Sequence, residues 1–378
     1  MSIDRYKRAL LTCIVVCLAI LSASGTAEER KYDPIDLWSF NDSIQHWLGN
    51  QARDRDDPRF EAHQIVEISD NMIQYQNPDG GWPKNLDWLG DIDYETVKRI
   101  FGRGLKRSTF DNRTTYSHVD YLAKVYAVTG HERFRKSADK GLDYILKEQR
   151  ASGGWRGSDV DGITFNDDVM TGIMNLLLDI HLRTERFDWL GEEKRDALDE
   201  SLQRAIEATL RCQIVVDGNY TAWCQQHSHD TYAPIKARSY ELVSITPAES
   251  TEVVRFLMRL PEPGRDLQER IRGAVEWMQR SAIRGIRTER KSVPPVRESY
   301  RTVTEDMFVI EDPSAPLIWT RYYEVNTNRP FFCNRDGIKV YSLAEVTLER
   351  RTGYAWYGTW PERLIENEYP KWETKLSQ

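Results

Sequence analysis

Residues 142–155 run Leu-Asp-Tyr-Ile-Leu-Lys-Glu-Gln-Arg-Ala-Ser-Gly-Gly-Trp, and residues 68–82 run Ile-Ser-Asp-Asn-Met-Ile-Gln-Tyr-Gln-Asn-Pro-Asp-Gly-Gly-Trp. Each begins as one face of a helix. Ile65, Ile68, Met72 and Tyr75 mark the earlier face at spacings of three and four, and Leu142, Ile145 and Leu146 mark the later one. A Gly-Gly turn then stops the helix, and a tryptophan follows it. The two stations lie about 73 residues apart, the length of two helix-and-loop hairpins. Cys212-Gln213, through Asp217-Gly218 to Trp223, is a weaker third echo.

Working outward, Val119, Leu122, Ala123 and Tyr126 form another apolar face, Met170, Ile173, Met174 and Leu177 a further one, and Val253, Phe256, Leu257 and Leu260 a last. Alternating strands are scarce, with residues 213–216 and 337–341 the best short candidates. Repeated helical hairpins without parallel-sheet signals predict an all-α toroid of paired helices, with only short irregular or β segments. The Arg-rich stretch 284–303, broken by Pro294-Pro295, reads as a solvated loop. Residues 28–59 are a polar lead-in without a sustained period, and 60–378 form the main domain.

The amino terminus carries an export signal pattern. Arg5, Lys7 and Arg8 precede an apolar run over residues 9–22, and small residues Ser24-Gly25-Thr26-Ala27 close it. The run is shorter than the roughly 20 residues a membrane span needs. A soluble mature chain beginning near residue 28, in a periplasm or outside the cell, is therefore expected, with no membrane span. Three cysteines would remain, Cys212, Cys224 and Cys333, with Cys212 and Cys224 a local candidate for a disulfide.

The chain of 378 residues has 52 basic and 59 acidic side chains, a net charge of −7. That balance disfavours nucleic acid, whose partners are strongly basic. Twelve tryptophans and 18 tyrosines suit a sugar-binding cleft as well as a core. No nucleophile elbow, dinucleotide fingerprint or phosphate loop occurs. His227-Ser228-His229-Asp230 has neither the cysteine partners nor the helical motif of a zinc site.

Two acidic clusters sit at predicted helix starts, Asp111-Asn112 and Asn166-Asp167-Asp168. Each suits a helix cap. Brought to one mouth, their oxygens would favour Ca²⁺, with water or an acidic substrate completing the shell. Lys236, Arg238, Arg329 and Arg335 are candidate partners for carboxylates, either a sugar's or a neighbour's such as Glu241 or Asp336.

These stretches together resemble the family 10 polysaccharide lyases, which are pectate lyases. The resemblance is carried by Asn77-Pro78-Asp79-Gly80-Gly81-Trp82-Pro83-Lys84-Asn85, Ser108-Thr109-Phe110-Asp111-Asn112, Thr164-Phe165-Asn166-Asp167-Asp168, Lys236-Ala237-Arg238-Ser239-Tyr240-Glu241, Thr327-Asn328-Arg329-Pro330 and Cys333-Asn334-Arg335-Asp336-Gly337. It continues into residues 351–361. It implies an (α/α)₃ toroid that cleaves α-1,4-linked polygalacturonate by calcium-assisted anti β-elimination. It further implies that Asp111 is a calcium ligand, Asp168 or Asp167 a second acid, Arg238 the base, Arg335 a substrate-carboxylate contact and Asn112 its neighbour. Lys236 and Arg329 join the expected substrate contacts, and a monomer acting on an acidic polysaccharide is expected. Arg113-Thr114, Ser228, Asn334 and a shortened stretch after Trp155 (Arg156-Gly157-Ser158) depart from the family pattern. Two other readings compete: a glycoside hydrolase using Asp111 with Asp167 or Asp168, and a pectin-binding protein without turnover.

Overall fold

A tryptophan clamped to the end of a helix organises the structure, a computed structural model that describes residues 32–50, 56–299 and 301–376. The expected export signal, residues 1–27, lies outside them. The helices used below are α1 (Asn41–Asn50), α2 (Ile65–Gln74), α3 (Tyr94–Phe101), α4 (Tyr116–Thr129), α5 (Glu132–Glu148), α6 (Val169–His181), α7 (Glu192–Cys212), α8 (Pro247–Arg259), α9 (Arg265–Arg280) and α10 (Leu348–Thr352).

The last carbonyls of a helix have no partner within it and need donors from elsewhere. The indole N–H of Trp82 donates to Met72 O at 2.9 Å near the end of α2, and that of Trp155 donates to Ile145 O at 2.9 Å near the end of α5. Trp223 does the same to Thr209 O of α7 at 2.8 Å, and Trp319 to Met278 O of α9 at 2.8 Å. All four rings are fully buried.

A glutamine reinforces three of these stations. The Gln76 amide donates to Gly80 O (2.8 Å) and to Ser137 O of α5 (2.9 Å). Gln149 donates to Gly153 O and to Ser201 O of α7, both at 2.8 Å. Gln213 donates to Thr221 O and to Arg270 O of α9, both at 2.9 Å. Each amide thus ties a turn to the next hairpin's outer helix. The turns press against those helices: a Cβ on Gly80 would lie 2.1 Å from Lys140 O and one on Gly153 2.2 Å from Arg204 O. Both glycines have φ near +90°, where a side chain is strained.

The helices consequently form two layers. Helices α2, α4, α6 and α8 pack side by side in chain order, backed by α5, α7 and α9. Gly130, in the left-handed conformation, ends α4 and lets α5 start at once. On α5, Phe134, Ala138, Leu142 and Ile145 face inward at helical spacing. Helix α6 is buried on nearly every side, as its run Val-Met-Thr-Gly-Ile-Met-Asn-Leu-Leu-Leu requires. The lead-in segment contributes Phe40, Ile44 and Trp47 to the same core.

The expectation of an all-α toroid is overturned. The structure is 48% helical, and among the described residues strands form five small sheets. The main departure is the stretch expected to be a solvated loop. Ile286–Arg297 and Thr302–Glu311 form a long antiparallel hairpin, with Ile286 opposite Glu311 and Arg297 opposite Thr302. Threonine, valine and isoleucine suit a pleated, half-exposed surface, and charges pair along it, as Arg290 does with Glu305. Pro294 and Pro295 fall where the register shifts between Ser292 and Val296, so the ladder needs no N–H from them. Arg351 of α10 pins the hairpin through two bonds to Asp306, at 2.6 and 2.8 Å. Charge content concealed this strand signal.

The three described cysteines are buried free thiols, so Cys212 and Cys224 form no disulfide here. His227 is fully buried and locks its own turn, its Nε2 accepting from Cys224 N (3.0 Å) and its Nδ1 facing Tyr232 O (2.8 Å). No described helix is long and apolar enough to cross a membrane.

Two buried histidines make stability pH-dependent. Burial pushes the pKa of His118, stacked on Trp82, down to about 3 and that of His227 down to about 4, from an ordinary 6.5. Both rings stay neutral in the fold, whereas the unfolded chain protonates near 6.5. Stability is therefore complete above that pH and falls as pH drops toward 4, by about 1.4 kcal/mol per unit for each ring. Urea unfolding at pH 7, 6, 5 and 4.5 will show this slope, and His118→Phe, which keeps a ring on Trp82, will make it shallower by the share of one ring while His227 keeps its own; a flat wild-type profile would contradict the reading. Gln213→Leu removes both amide bonds and leaves the buried Thr221 carbonyl without this donor, while Arg270 O keeps its place in the α9 ladder. It should lower stability by about 2 kcal/mol at pH 7, read from the same urea curves.

Candidate active site

The chain leaving each clamped tryptophan runs toward one end of the helical layers. Thr109 N donates to Trp82 O (3.1 Å), Thr164 N to Trp155 O (3.0 Å) and Thr246 N to Trp223 O (2.9 Å). The segments entering α4, α6 and α8 therefore lie beside the stations. Two short turns follow, Asp111–Arg113 before α4 and Asn166–Asp168 before α6, packed against each other. Asn112, Arg113, Asp167 and Asp168 all have positive φ, between 51° and 58°. Asn and Asp tolerate this left-handed region best, which explains their use where the backbone must turn sharply.

Asp111 is 4% exposed. Its Oδ2 receives Lys84 Nζ and Ser158 Oγ, the latter at 2.7 Å. Burial works against its ionised form, but Lys84 and Ser158 outweigh that, and its carboxyl is held below the usual range. Asp167 goes the other way. Burial first, and then the negative charge of Asp111, push its carboxyl well above the usual range. Asn112 is tied to Asn85 (2.6 Å).

Asp168 turns elsewhere. It pairs with Arg113 at 2.7 Å, and Arg113 lies 4.1 Å over the exposed ring of Trp38. Together they face a separate cavity bordered by Glu252. The cation beside Asp111 is Lys84, and Arg113 serves Asp168 instead. Among the described residues no cluster of three or more His, Cys, Asp or Glu side chains could hold a metal ion.

Arg238 and Arg335 come together around Tyr240, their guanidinium carbons 5.1 and 5.5 Å from the ring. Both already have carboxylates. Arg238 binds Glu241, which is 1% exposed, and Arg335 binds Glu349 through two bonds of 2.9 Å. Burial opposes the charge on Arg238, but Glu241 overcomes it and raises the pKa above its ordinary value. The loop after Trp155 joins the two halves. Ser158 touches Asp111, and Asp159 Oδ2 stands 3.6 Å from Arg238 Nε. Lys236 and Arg329 are exposed, with Arg329 stacked 3.5 Å over Tyr341. Among the described residues no hydrogen bond or ion pair links either of them to this group.

Sequence reasoning missed a buried network behind these side chains. Gln225 donates to Asn166 (2.9 Å) and to Glu249 (2.7 Å), and Arg321 reaches the same two oxygens at 3.2 Å. Tyr322 donates to Gln225 at 3.0 Å and meets the Tyr354 hydroxyl at 2.7 Å. The Tyr354 hydroxyl lies 3.5 Å from Glu241. A polar chain thus connects the Asp167 turn with the partner of Arg238. One signal was available: Lys84, Gln225 and Arg321 each stand two places after a clamped tryptophan, and Ser158 three. Chemically, the end of the layers offers paired carboxylates opposite two arginines fixed beside an aromatic ring, a surface suited to an anionic, ring-shaped ligand.

Residues 76–365 match the sequence model of the family described as pectic acid lyase. Among solved structures, the chain is similar to a family 10 polysaccharide lyase from Cellvibrio cellulosa, with a TM-score of 0.67 and 26% identity over 89% of this chain and 98% of that one. It is equally similar to an aspartate-to-alanine mutant of a family 10 polysaccharide lyase from Cellvibrio cellulosa in complex with trigalacturonic acid, with a TM-score of 0.67 and 25% identity over 89% and 99%. No curated protein sequence matches the chain significantly. With the family's pattern spanning most of its length, and its carboxylate turns and arginines gathered at one end, the chain belongs to the pectic acid lyase family and is a lyase acting on polysaccharides.

Proposed function

We propose that this chain is an exported pectate lyase that cleaves α-1,4-linked polygalacturonate by calcium-assisted anti β-elimination. The observation that carries the reading is the pairing, across the loop 157–159, of the Asp111 and Asp167 turns with the Arg238 and Arg335 pair. The trigalacturonic acid named with the Cellvibrio enzyme supports an acidic polysaccharide as substrate.

In the proposed step, Arg238 takes the proton from C5 of a galacturonate residue. The C5–H electrons form a C4=C5 double bond, the C4–O4 bond breaks, and the departing sugar oxygen is protonated from solvent. Because C5 is α to a carboxylate, negative charge builds on that group, and Arg335 would draw it. Asn112 and Lys84 line the approach to the same centre. Lys236 and Arg329, both exposed, would contact sugars further along a bound chain.

The donor set fits calcium. Asp111 and Asp167 offer oxygens alone, which suit a hard cation, while His227 and the thiols that would attract zinc are locked or buried elsewhere. Two carboxylates are fewer than calcium's six to eight ligands, so water and the sugar carboxylate would complete the shell. Bound there, the ion would stabilise the charge developing on the substrate. Asp168, paired with Arg113, would hold its turn in place.

Ultraviolet absorbance of polygalacturonate treated with the enzyme tests the reaction, since elimination leaves a conjugated 4,5-unsaturated end. We expect a rise that a calcium chelator suppresses and that Arg238→Ala reduces by at least about a hundredfold, the scale of a lost general base. New reducing ends without absorbance would instead indicate a hydrolase. The Glu241 pair carries a second prediction. Only a neutral Arg238 can accept a proton, and Glu241 holds it charged, so activity should climb through the alkaline range. Glu241→Gln lowers the pKa of Arg238 and should move that rise to lower pH while reducing the maximal rate. A rate–pH profile with an optimum below neutrality would overturn the assignment of Arg238.

A further inference from the structure

A cavity of about 550 Å³ opens beside Asp111, within the roughly 300–1,000 Å³ range of small-ligand sites. Lys84, Ser158 and Asp159 form the wall it shares with the reaction centre. Its other walls carry Arg107, Arg150 and Arg156 against a single further carboxylate, Glu148, although the chain as a whole is acidic. Lys84 is committed to Asp111 and Arg150 to Asp161 (3.2 Å). Arg107 and Arg156 are different. Arg156 donates only to the neighbouring Gly157 carbonyl (3.1 Å), and no carboxylate of the described residues forms a salt bridge with either guanidinium.

Two uncommitted guanidiniums facing one cavity repel each other and gain from a shared anion. Phe101 and Tyr144 add an apolar wall, against which the face of a sugar ring can pack. Lys84 and Ser158, which hold Asp111, and Asp159, 3.6 Å from Arg238, also line the cavity. It therefore lies one side chain away from the reaction centre, within reach of the next sugar of a polymer lying across Asp111 and Arg238.

We propose that Arg107 and Arg156 form an additional uronate subsite that grips the carboxylate of a sugar residue next to the one being cleaved, and that makes the enzyme prefer unesterified residues there. The proposal rests on the polygalacturonate reading above. Methyl esterification removes the charge that the two guanidiniums recognise, whereas it leaves the ring surface for Phe101 and Tyr144 unchanged.

The test is calorimetric binding of tetragalacturonate and of its fully methyl-esterified form to Arg238→Ala protein, with and without Arg107→Gln and Arg156→Gln. Losing two charge-assisted contacts should weaken tetragalacturonate binding by about tenfold or more. Binding of the ester should not change, nor should Arg265→Gln, a substitution at an exposed site on α9, weaken either ligand. Unchanged tetragalacturonate binding, or an equal loss for the ester, would overturn the subsite. Arg107 is exposed, so Arg107→Gln alone keeps the test open if the double variant does not fold; it should give part of the effect. Unsaturated product formed by Arg238→Ala would refute the assigned base, yet the binding comparison would still judge the subsite. Failure of the parent to bind tetragalacturonate would overturn both readings.

Discussion

The indole N–H of a buried tryptophan, donated to a carbonyl near the end of the preceding helix, is the interaction on which the remaining architecture depends. It meets a need every helix end creates, the pairing of its last carbonyls, with a large apolar ring that also fills the core. At Trp82, Trp155 and Trp223 a nearby glutamine extends the connection to the next hairpin's outer helix. Trp319 keeps the clamp in a setting where strands replace the helical turn. Since each clamp fixes both position and direction, the residues just beyond the ring emerge at one end of the molecule. Lys84, Ser158, Gln225 and Arg321 meet there although they are scattered over some two-thirds of the chain.

The site built at that end is a balance of paired charges. Asp111 has Lys84, Asp168 has Arg113, Arg238 has Glu241 and Arg335 has Glu349. Buried or half-buried ions require such partners, because desolvation of an unpaired charge is costly. Asp167 stands out because burial, and then the negative charge of Asp111, work against its ionised form more than the nearby cations favour it. The pairs also explain how the arginines can sit ready near an acidic ligand without collapsing onto each other around Tyr240. An anionic polymer entering this region exchanges partners with groups already held in place, and little reorganisation is needed when charge moves.

Much of this was legible from local pattern. The Gly-Gly-Trp stations, the helical faces on α4, α6 and α8, and the two Asp-Asn turns all follow from spacing within about 20 residues. The long hairpin was not legible, because Arg287, Arg290, Glu305 and Asp306 mask an alternation that becomes plain only when the two strands face each other. The role of residues 32–50 was hidden for a similar reason: Phe40, Ile44 and Trp47 show no sustained period, yet they pack into the common core.

The site divides in the same way. Sequence by itself determined which chemistry-bearing residues were present and in what local turns: Asp111 beside Asn112, Asp167 beside Asp168, Arg238 three places before Glu241. Only the tertiary structure decided their partners. It set Lys84 on Asp111, turned Asp168 toward Arg113, brought Arg335 alongside Arg238 and left Arg329 apart on Tyr341. The physical reason is range. Helical periodicity and turn chemistry act over a few residues and can be read along the chain, whereas the charge on a side chain is settled by whichever group the fold places within a few ångströms of it, and those groups come from positions tens to hundreds of residues away.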